Sequence, residues 1–255
     1  MILINGQARS GTTVVTKAIS QHPEVVSNMR ESSYINEVAG LFQFTLNRPD
    51  VVRELPGGLD SFKNAYRIAT MNVLFPQRMF PPSEQTKFSS TFSSLRSARA
   101  EYLKEIFPEL HMVIIIREGT EVVASRLVHE HIKHAGDFET HCVAWANTIE
   151  MLKWARRQPK FFLLRHEDLK TEETCRQAFA DLHSEFGMSP SEAPADFVLQ
   201  GLINSTSPTN DRKEGLAERT QRWRSWTNEQ REIFQRVCAS TMQECGYEIP
   251  WQQQT

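Results

Sequence analysis

The chain lacks any apolar run approaching the ~20 residues that an α-helical membrane span needs, and it holds no internal repeat or low-complexity tract. It also lacks C-x-x-C pairs and zinc-ligand spacing. Cys142, Cys175, Cys238 and Cys245 stand apart, and all four are expected to be reduced thiols. Net charge is nearly absent, with 29 Lys and Arg against 31 Asp and Glu, a balance of −2. That argues against general nucleic-acid binding, which calls for a basic surface, but leaves room for a local basic pocket. No signal peptide fits before the first strand, so a cytoplasmic location is expected. What is present is an ordinary globular composition, 40% apolar and 24% charged over 255 residues. That length can bury the core of a single domain spanning 1–255.

A lysine is also missing where a nucleotide loop would carry one. Ile2-Leu3-Ile4 runs into Asn5-Gly6-Gln7-Ala8-Arg9-Ser10-Gly11-Thr12-Thr13, and a helix-like stretch, Val14 to Gln21, precedes His22-Pro23. Strand, glycine turn and helix start make an anion cradle, because turn N–H groups and the positive end of the helix dipole face one spot. Gly6 and Gly11 have the G-x-x-x-x-G spacing of a phosphate loop, but Thr12 occupies the lysine position. Arg9 is the only cation in the loop. Ser10, Thr12 and Thr13 add hydroxyl and N–H donors, which equally suit a plain helix start. The loop suits a phosphate-like group and not the usual Mg-nucleoside triphosphate chemistry.

Strand-like runs at 2–5, 24–28, 86–92, 112–117 and 161–165 alternate with helix-like segments. Met112-Val113-Ile114-Ile115-Ile116 and Phe161-Phe162-Leu163-Leu164 are continuous apolar stretches, as parallel strands covered on both faces require. The alternation predicts an α/β fold: a P-loop-like open parallel sheet flanked by helices, with its site beyond the strand carboxyl ends. Residues 35–86 predict two or three helices inserted over the sheet. Thr227 to Gln230 is a T-x-x-Q capping box; Ile233, Phe234, Val237, Cys238, Met242 and Cys245 form one apolar face, and Gly246 ends the helix. Trp145 and Trp154 read as helix-packing residues.

A second cation ends a buried strand. Arg117 follows Ile116, and a helix beginning near Gly119 carries Ser125. In a P-loop nucleotide hydrolase a second core strand typically ends in Asp, which holds Mg²⁺. Arginines at the ends of two strands, without that acid, fit an anionic ligand that needs no metal to neutralise it. A surface pair of Arg117 with Glu118 or Glu121 is the plainer reading of the same residues.

Together these segments resemble the sulfotransferases that use PAPS (3′-phosphoadenosine 5′-phosphosulfate). Arg9-Ser10-Gly11-Thr12-Thr13 with His22-Pro23 is similar to that family's 5′-phosphosulfate loop, in the form of its bacterial and Golgi branches. Val113 to Arg117 with Val122-Val123-Ala124-Ser125-Arg126 resembles the 3′-phosphate motif, an arginine and a serine eight apart. Leu164-Arg165-His166-Glu167-Asp168-Leu169 is similar to the family's YEDL strand end, with His166 where tyrosine is common. Arg222-Trp223 and Gly246-Tyr247 fit its C-terminal pattern, so the matches run in family order over residues 2–247. Ala8 for proline, and Glu118-Gly119 for Asp-Pro, are departures.

The resemblance implies sulfuryl transfer from PAPS to a hydroxyl acceptor, in line and without metal. Arg9, Ser10, Gly11, Thr12 and Thr13 would hold the 5′-phosphosulfate, and Arg117 with Ser125 the 3′-phosphate. Arg212 and Lys213, in the polar loop 205–215, partly resemble the segment that folds over the nucleotide, and equally read as a solvated charge run. Arg30-Glu31 with Tyr34 resembles the KE-x-x-[FY] segment of the Golgi-type branch, which makes Glu31 the general base. Lys87, before Phe88-Ser89-Ser90-Thr91-Phe92, resembles the lysine of K-[ST]-P-x-[YF], which makes it a catalytic cation beside Arg9. The helical insertion at about 35–86 would shape the acceptor pocket. His129, His131 and His134 read as a solvated or acceptor-facing loop and as the fallback source of a base. The competing readings are a P-loop kinase or nucleotide hydrolase, and a non-catalytic nucleotide-binding protein.

Overall fold

The computed structural model of the protein describes residues 1–76, 86–201 and 222–252. Five strands, β1 (Ile2–Asn5), β2 (Val25–Glu31), β3 (Phe88–Phe92), β4 (His111–Ile116) and β5 (Phe161–Arg165), form one sheet in the order β2-β3-β1-β4-β5. Every pairing is parallel, with Ile2 opposite both Ser90 and His111, and Ile116 opposite Arg165. Each strand-like run of the sequence is therefore a strand, and all carboxyl ends share one edge.

Successive side chains of a strand point to opposite faces, and the core divides accordingly. Leu3, Met112, Ile114 and Ile116 pack with α2 (Ser33–Leu46), α5 (Ser97–Ile106) and α8 (Thr148–Ala155). Ile2, Ile4, Val113 and Ile115 pack on the other face with α1 (Thr12–Ile19), α9 (Glu172–Phe186) and α10 (Ala193–Leu199). β1 and β4 are buried along their whole length, which explains why they carry no alternating polar residues. Between β2 and β3 lie α2, α3 (Pro49–Glu54) and α4 (Gly58–Leu74), the expected inserted helices.

A third apolar cluster contains no strand residue. Val122, Val123 and Ala124 of α6 (Gly119–Val128) join Trp145 of α7 (Phe138–Ala146), Trp223, Trp226, and Phe234 and Met242 of α11 (Asn228–Glu244). α6 packs on α7 and on the turn at 222–225, so Ser125 stands beyond the sheet's carboxyl edge and not against its face. The capping box that starts α11 is formed as the sequence predicts, with Thr227 Oγ1 accepting from the Gln230 N–H and Gln230 Oε1 accepting from the Thr227 N–H. All four cysteines are buried and unbridged.

Candidate functional site

The turn between β1 and α1 sits at the carboxyl edge. Gly6 passes so close to β4 that a Cβ there would lie 2.6 Å from the Ile115 carbonyl oxygen, a backbone atom that cannot swing away. The Ser10 N–H closes a tight turn on the Gln7 carbonyl at 3.0 Å. Arg9 is left-handed, with φ of 81°, an unusual conformation for a side-chain-bearing residue and one that turns its carbonyl toward β4. Gly11, φ 101°, caps α1, and a Cβ there would meet His166 Cδ2 at 2.8 Å. No acidic residue lies in the first turn of α1, and no side chain caps it. The amides of Thr12, Thr13 and Val14 open the helix, and such groups have no intrahelical acceptor.

Arg117 and Ser125 are brought to this loop, in a crossed arrangement. Arg117 Nη1 donates to the Arg9 carbonyl at 3.2 Å, while Arg9 Nε donates to Ser125 Oγ at 3.0 Å. Arg117 Nε also donates to Glu121 Oε2 at 2.7 Å, and the other Glu121 oxygen is 3.5 Å from Lys170 Nζ. The i,i+4 pair of Arg117 with Glu121, the plainer reading of these residues, thus coexists with a reach to the loop. Glu118 caps α6, accepting from the Thr120 and Glu121 N–H groups; burial pushes its carboxyl up from its ordinary value, and those bonds oppose the shift. His166 lies beside Gly11. Burial, with Arg117 and Lys170 nearby, pushes its pKa down to about 3, so the ring is neutral; its buried Nδ1 has no hydrogen-bond partner among the described residues.

Glu31 ends β2 at the same edge, exposed to solvent. Ser94, just past β3, stands between it and the loop: its hydroxyl is 3.3 Å from Glu31 Oε1 and 3.4 Å from the Gly6 carbonyl. Beside Gly6 and Gln7 opens a cavity of ≈ 500 Å³, walled by Asn5, the segment Ser94–Ala98, Asn147, Thr148 and Glu150, with Ile114 and Met151 as apolar surface. None of its lining residues comes from positions 35–86 among the described residues. A second cavity of ≈ 450 Å³, lined by Glu101, Glu105 and Trp154, contains none of the loop residues.

Lys87 is not brought to the loop. It precedes β3, so it lies at the amino edge, and the six steps from it to Ser93 span roughly 20 Å of extended chain. Its Nζ pairs with Glu24, which also accepts from the Ser189 N–H at 3.1 Å and the Ser189 hydroxyl at 2.9 Å. The sequence match placed the lysine by its distance from the strand, but it falls on the wrong side of that strand.

A model of the sulfotransferase family matches residues 2–182. The chain belongs to the sulfotransferase family. Solved structures share the fold. The sulfotransferase domain from the curacin biosynthetic pathway is 13% identical, covers 98% of each chain and has a TM-score of 0.61. The sulfotransferase domain of the Synechococcus PCC 7002 olefin synthase is 13% identical, with a TM-score of 0.62 over 98% of this chain and 95% of that one. Mouse sulfotransferase SULT7A1, complexed with PAP, is 12% identical, with a TM-score of 0.56 over 95% of this chain and 84% of that one. No curated protein sequence matches the chain.

In this member of the family the YEDL-like segment and the closing Gly246-Tyr247 serve the same corner. Glu167 accepts from the Glu118 N–H at 3.1 Å and from Tyr247 Oη at 2.8 Å, and Arg165 stacks over the Tyr247 ring at 5.1 Å. Burial first, then the Glu167 carboxylate, pushes the Tyr247 phenol up, so it stays a neutral donor. Ligand atoms of Glu121, His166 and Glu167 lie within 4.8 Å of one another. Their carboxylates already have protein partners: Glu121 pairs with Arg117 and Lys170, and Glu167 accepts from the Glu118 N–H and Tyr247 Oη. His131 and His134 lie in the turn after α6, where Lys133 pairs with Glu130 at 2.9 Å. His129 and His131 hold their rings 5.7 Å apart. Arg212 and Lys213 lie outside the described residues. Reading the sequence missed Ser94, which nothing local marked, while Glu121 was read as an alternative partner of Arg117 and is its partner here.

Proposed function

We propose that the protein transfers a sulfuryl group from PAPS to a hydroxyl acceptor at the carboxyl edge. The observation that carries this reading is the convergence of Arg9, Arg117 and Ser125 around a phosphate loop that has no lysine, in a chain of the sulfotransferase family. Gly11, Thr12 and Thr13 hold the 5′-phosphosulfate with backbone N–H groups, Ser10 offers its hydroxyl, and Arg9 balances the charge that builds on the leaving phosphate. Arg117 and Ser125 receive the 3′-phosphate, with Arg212 and Lys213 as the further candidates for that contact. The sulfuryl group carries less negative charge than a phosphoryl group, so fixed cations suffice and no metal is required.

The acceptor enters the cavity beside Gly6 and Gln7, whose wall carries both Arg96 and Glu150 and whose interior is apolar at Ile114 and Met151. Glu31, at the end of β2 and next to Ser94, takes the proton of the acceptor hydroxyl as it attacks in line with the phosphate leaving group. Ser94 holds that carboxylate toward the loop. Lys87 has no part in this chemistry, because its ammonium is engaged at the opposite edge. The test is thermal denaturation with PAP (3′-phosphoadenosine 5′-phosphate), Mg-ATP or 5′-AMP, each with and without EDTA. Ligand at 100 times its Kd adds about 2.7 kcal/mol, a rise of several degrees. A rise with PAP that survives EDTA, and none with 5′-AMP, supports the reading. A rise with Mg-ATP alone overturns it in favour of a kinase or hydrolase.

A further inference from the structure

We propose that Arg117 is a positioning residue for the phosphate loop, a strap that couples the two ends of the nucleotide site. A residue that only binds a 3′-phosphate needs no contact with the loop. Here the guanidinium spans from Glu121 Oε2, at 2.7 Å, to the Arg9 carbonyl, at 3.2 Å. Its own backbone is fixed, because the Arg117 carbonyl accepts from Trp145 Nε1 at 3.1 Å. Glu121 is anchored in turn by Lys170 at 3.5 Å. The far end of the strap is the one non-glycine residue of the loop with a left-handed backbone, Arg9. That conformation is strained, and it persists only where surrounding contacts hold it.

The side chain of the strapped residue then reaches the other half of the site. Arg9 Nε donates to Ser125 Oγ, 3.0 Å away on α6. One arginine sets the backbone of the loop, and the other carries that setting to the helix beyond the sheet. An anion arriving beside Ser125 must share donors with this pair, so its binding shifts the same contacts that shape the loop. The planar guanidinium matters, because one ammonium cannot reach Glu121 and the Arg9 carbonyl together. Only the identity of the anion rests on the proposed sulfuryl-donor reading; the strap itself rests on contacts within the chain.

The test separates the two. Hydrogen exchange is measured on the ligand-free protein and on Arg117→Ala and Arg117→Lys, and each is titrated with PAP and with adenosine 5′-phosphosulfate, which has no 3′-phosphate. The strap predicts that amides in 6–13 exchange about tenfold faster or more in both variants, the scale of a lost charge-assisted hydrogen bond, while β4 and α11 stay protected. It also predicts that Arg117→Ala weakens adenosine 5′-phosphosulfate about tenfold, although that ligand has nothing for a 3′-phosphate reader to grip. Should Arg117→Ala fail to fold, Arg117→Lys and Glu121→Gln carry the exchange measurement. Loop exchange unchanged from wild type in the folded variants overturns the strap, whatever PAP does. If the loop loosens but wild type binds neither nucleotide, the strap stands and the sulfuryl-donor reading falls.

Discussion

At the amino edge of the sheet, Lys87, Glu24, His22 and Ser189 answer one another. Glu24 takes the ammonium and two Ser189 donors; His22 Nδ1 accepts from the Glu24 N–H at 3.1 Å, and its Nε2 meets the Ser189 carbonyl at 2.8 Å. At the carboxyl edge the same kinds of side chain surround an opening. Arg9 is held in a left-handed turn, His166 keeps a buried nitrogen without a partner, Glu31 faces solvent, and a cavity of ≈ 500 Å³ adjoins the loop. Neither charge content nor satisfaction alone distinguishes the two edges, since His111 Nδ1 at the amino edge is also buried without a partner among the described residues. What sets the carboxyl edge apart is a strained left-handed turn beside an open cavity, the arrangement that suits a ligand.

The sharpest way to break that contrast is at the proposed base. Glu31→Gln is expected to lower turnover by about 10²–10⁴, the range for a lost general base, with PAP affinity unchanged. Steady-state sulfation with labelled PAPS, beside calorimetry with PAP, checks both halves. Near-normal turnover would remove Glu31 from the chemistry.

Next in size is the close approach that shapes the loop. Gly6→Ala sets a methyl against the Ile115 carbonyl at 2.6 Å, so it should cost about 1–3 kcal/mol in urea unfolding, the scale of overpacking. Gly187→Ala, at the end of α9, meets nothing within 4 Å and carries only the strain of its φ of 65°. Equal losses at the two glycines would contradict the packing argument.

Acid should dissolve the amino edge in two stages. Burial holds the buried His111 and His183 down at about 4, below their ordinary 6.5. The unfolded chain therefore binds more protons between those values, and stability is lost as pH falls from 6.5 through about 4. The Lys87 ammonium, bonded to Glu24, holds that carboxyl at about 2 against an ordinary 4.5. Its contribution is present above 4.5 and is lost as pH falls from there through about 2. Melting temperature followed against pH should show both declines, and Glu24→Gln should shrink the lower one, to which His166, held down to about 3, also contributes.

The smallest expected effect is the most discriminating between edges. Lys87→Ala should leave turnover within about twofold, as for a group remote from the chemistry, while lowering the melting temperature by a few degrees through the unpaired, buried Glu24. A hundredfold loss of turnover in a folded Lys87→Ala would place the lysine at the site after all.

Much of this architecture was legible in the sequence. Continuous apolar runs such as Met112–Ile116, short and rich in β-branched residues, read as covered strands, and glycines flanking Arg9 mark a turn beside them, so five strands and the loop followed. Proximity across elements was harder to read. Ser94 meets Glu31 because β3 and β2 are neighbours in the sheet, a pairing that no local spacing encodes. Lys87 failed for the opposite reason: a motif fixes the distance along the chain, but a parallel strand places its two ends at opposite edges. His22-Pro23 matched the loop's family pattern, yet its imidazole ties the far end of α1 to Ser189. A segment that matches the family pattern of a ligand loop can thus serve the scaffold that carries the loop.

Hydrogen exchange of the wild-type protein with and without saturating PAP tests the central claim most directly, since it reports on both edges at once. The account predicts slowed exchange in 6–13 and 117–125, and unchanged exchange in 22–25 and 87–90. Protection confined to the amino edge, or absent from the loop while PAP is bound, would contradict it.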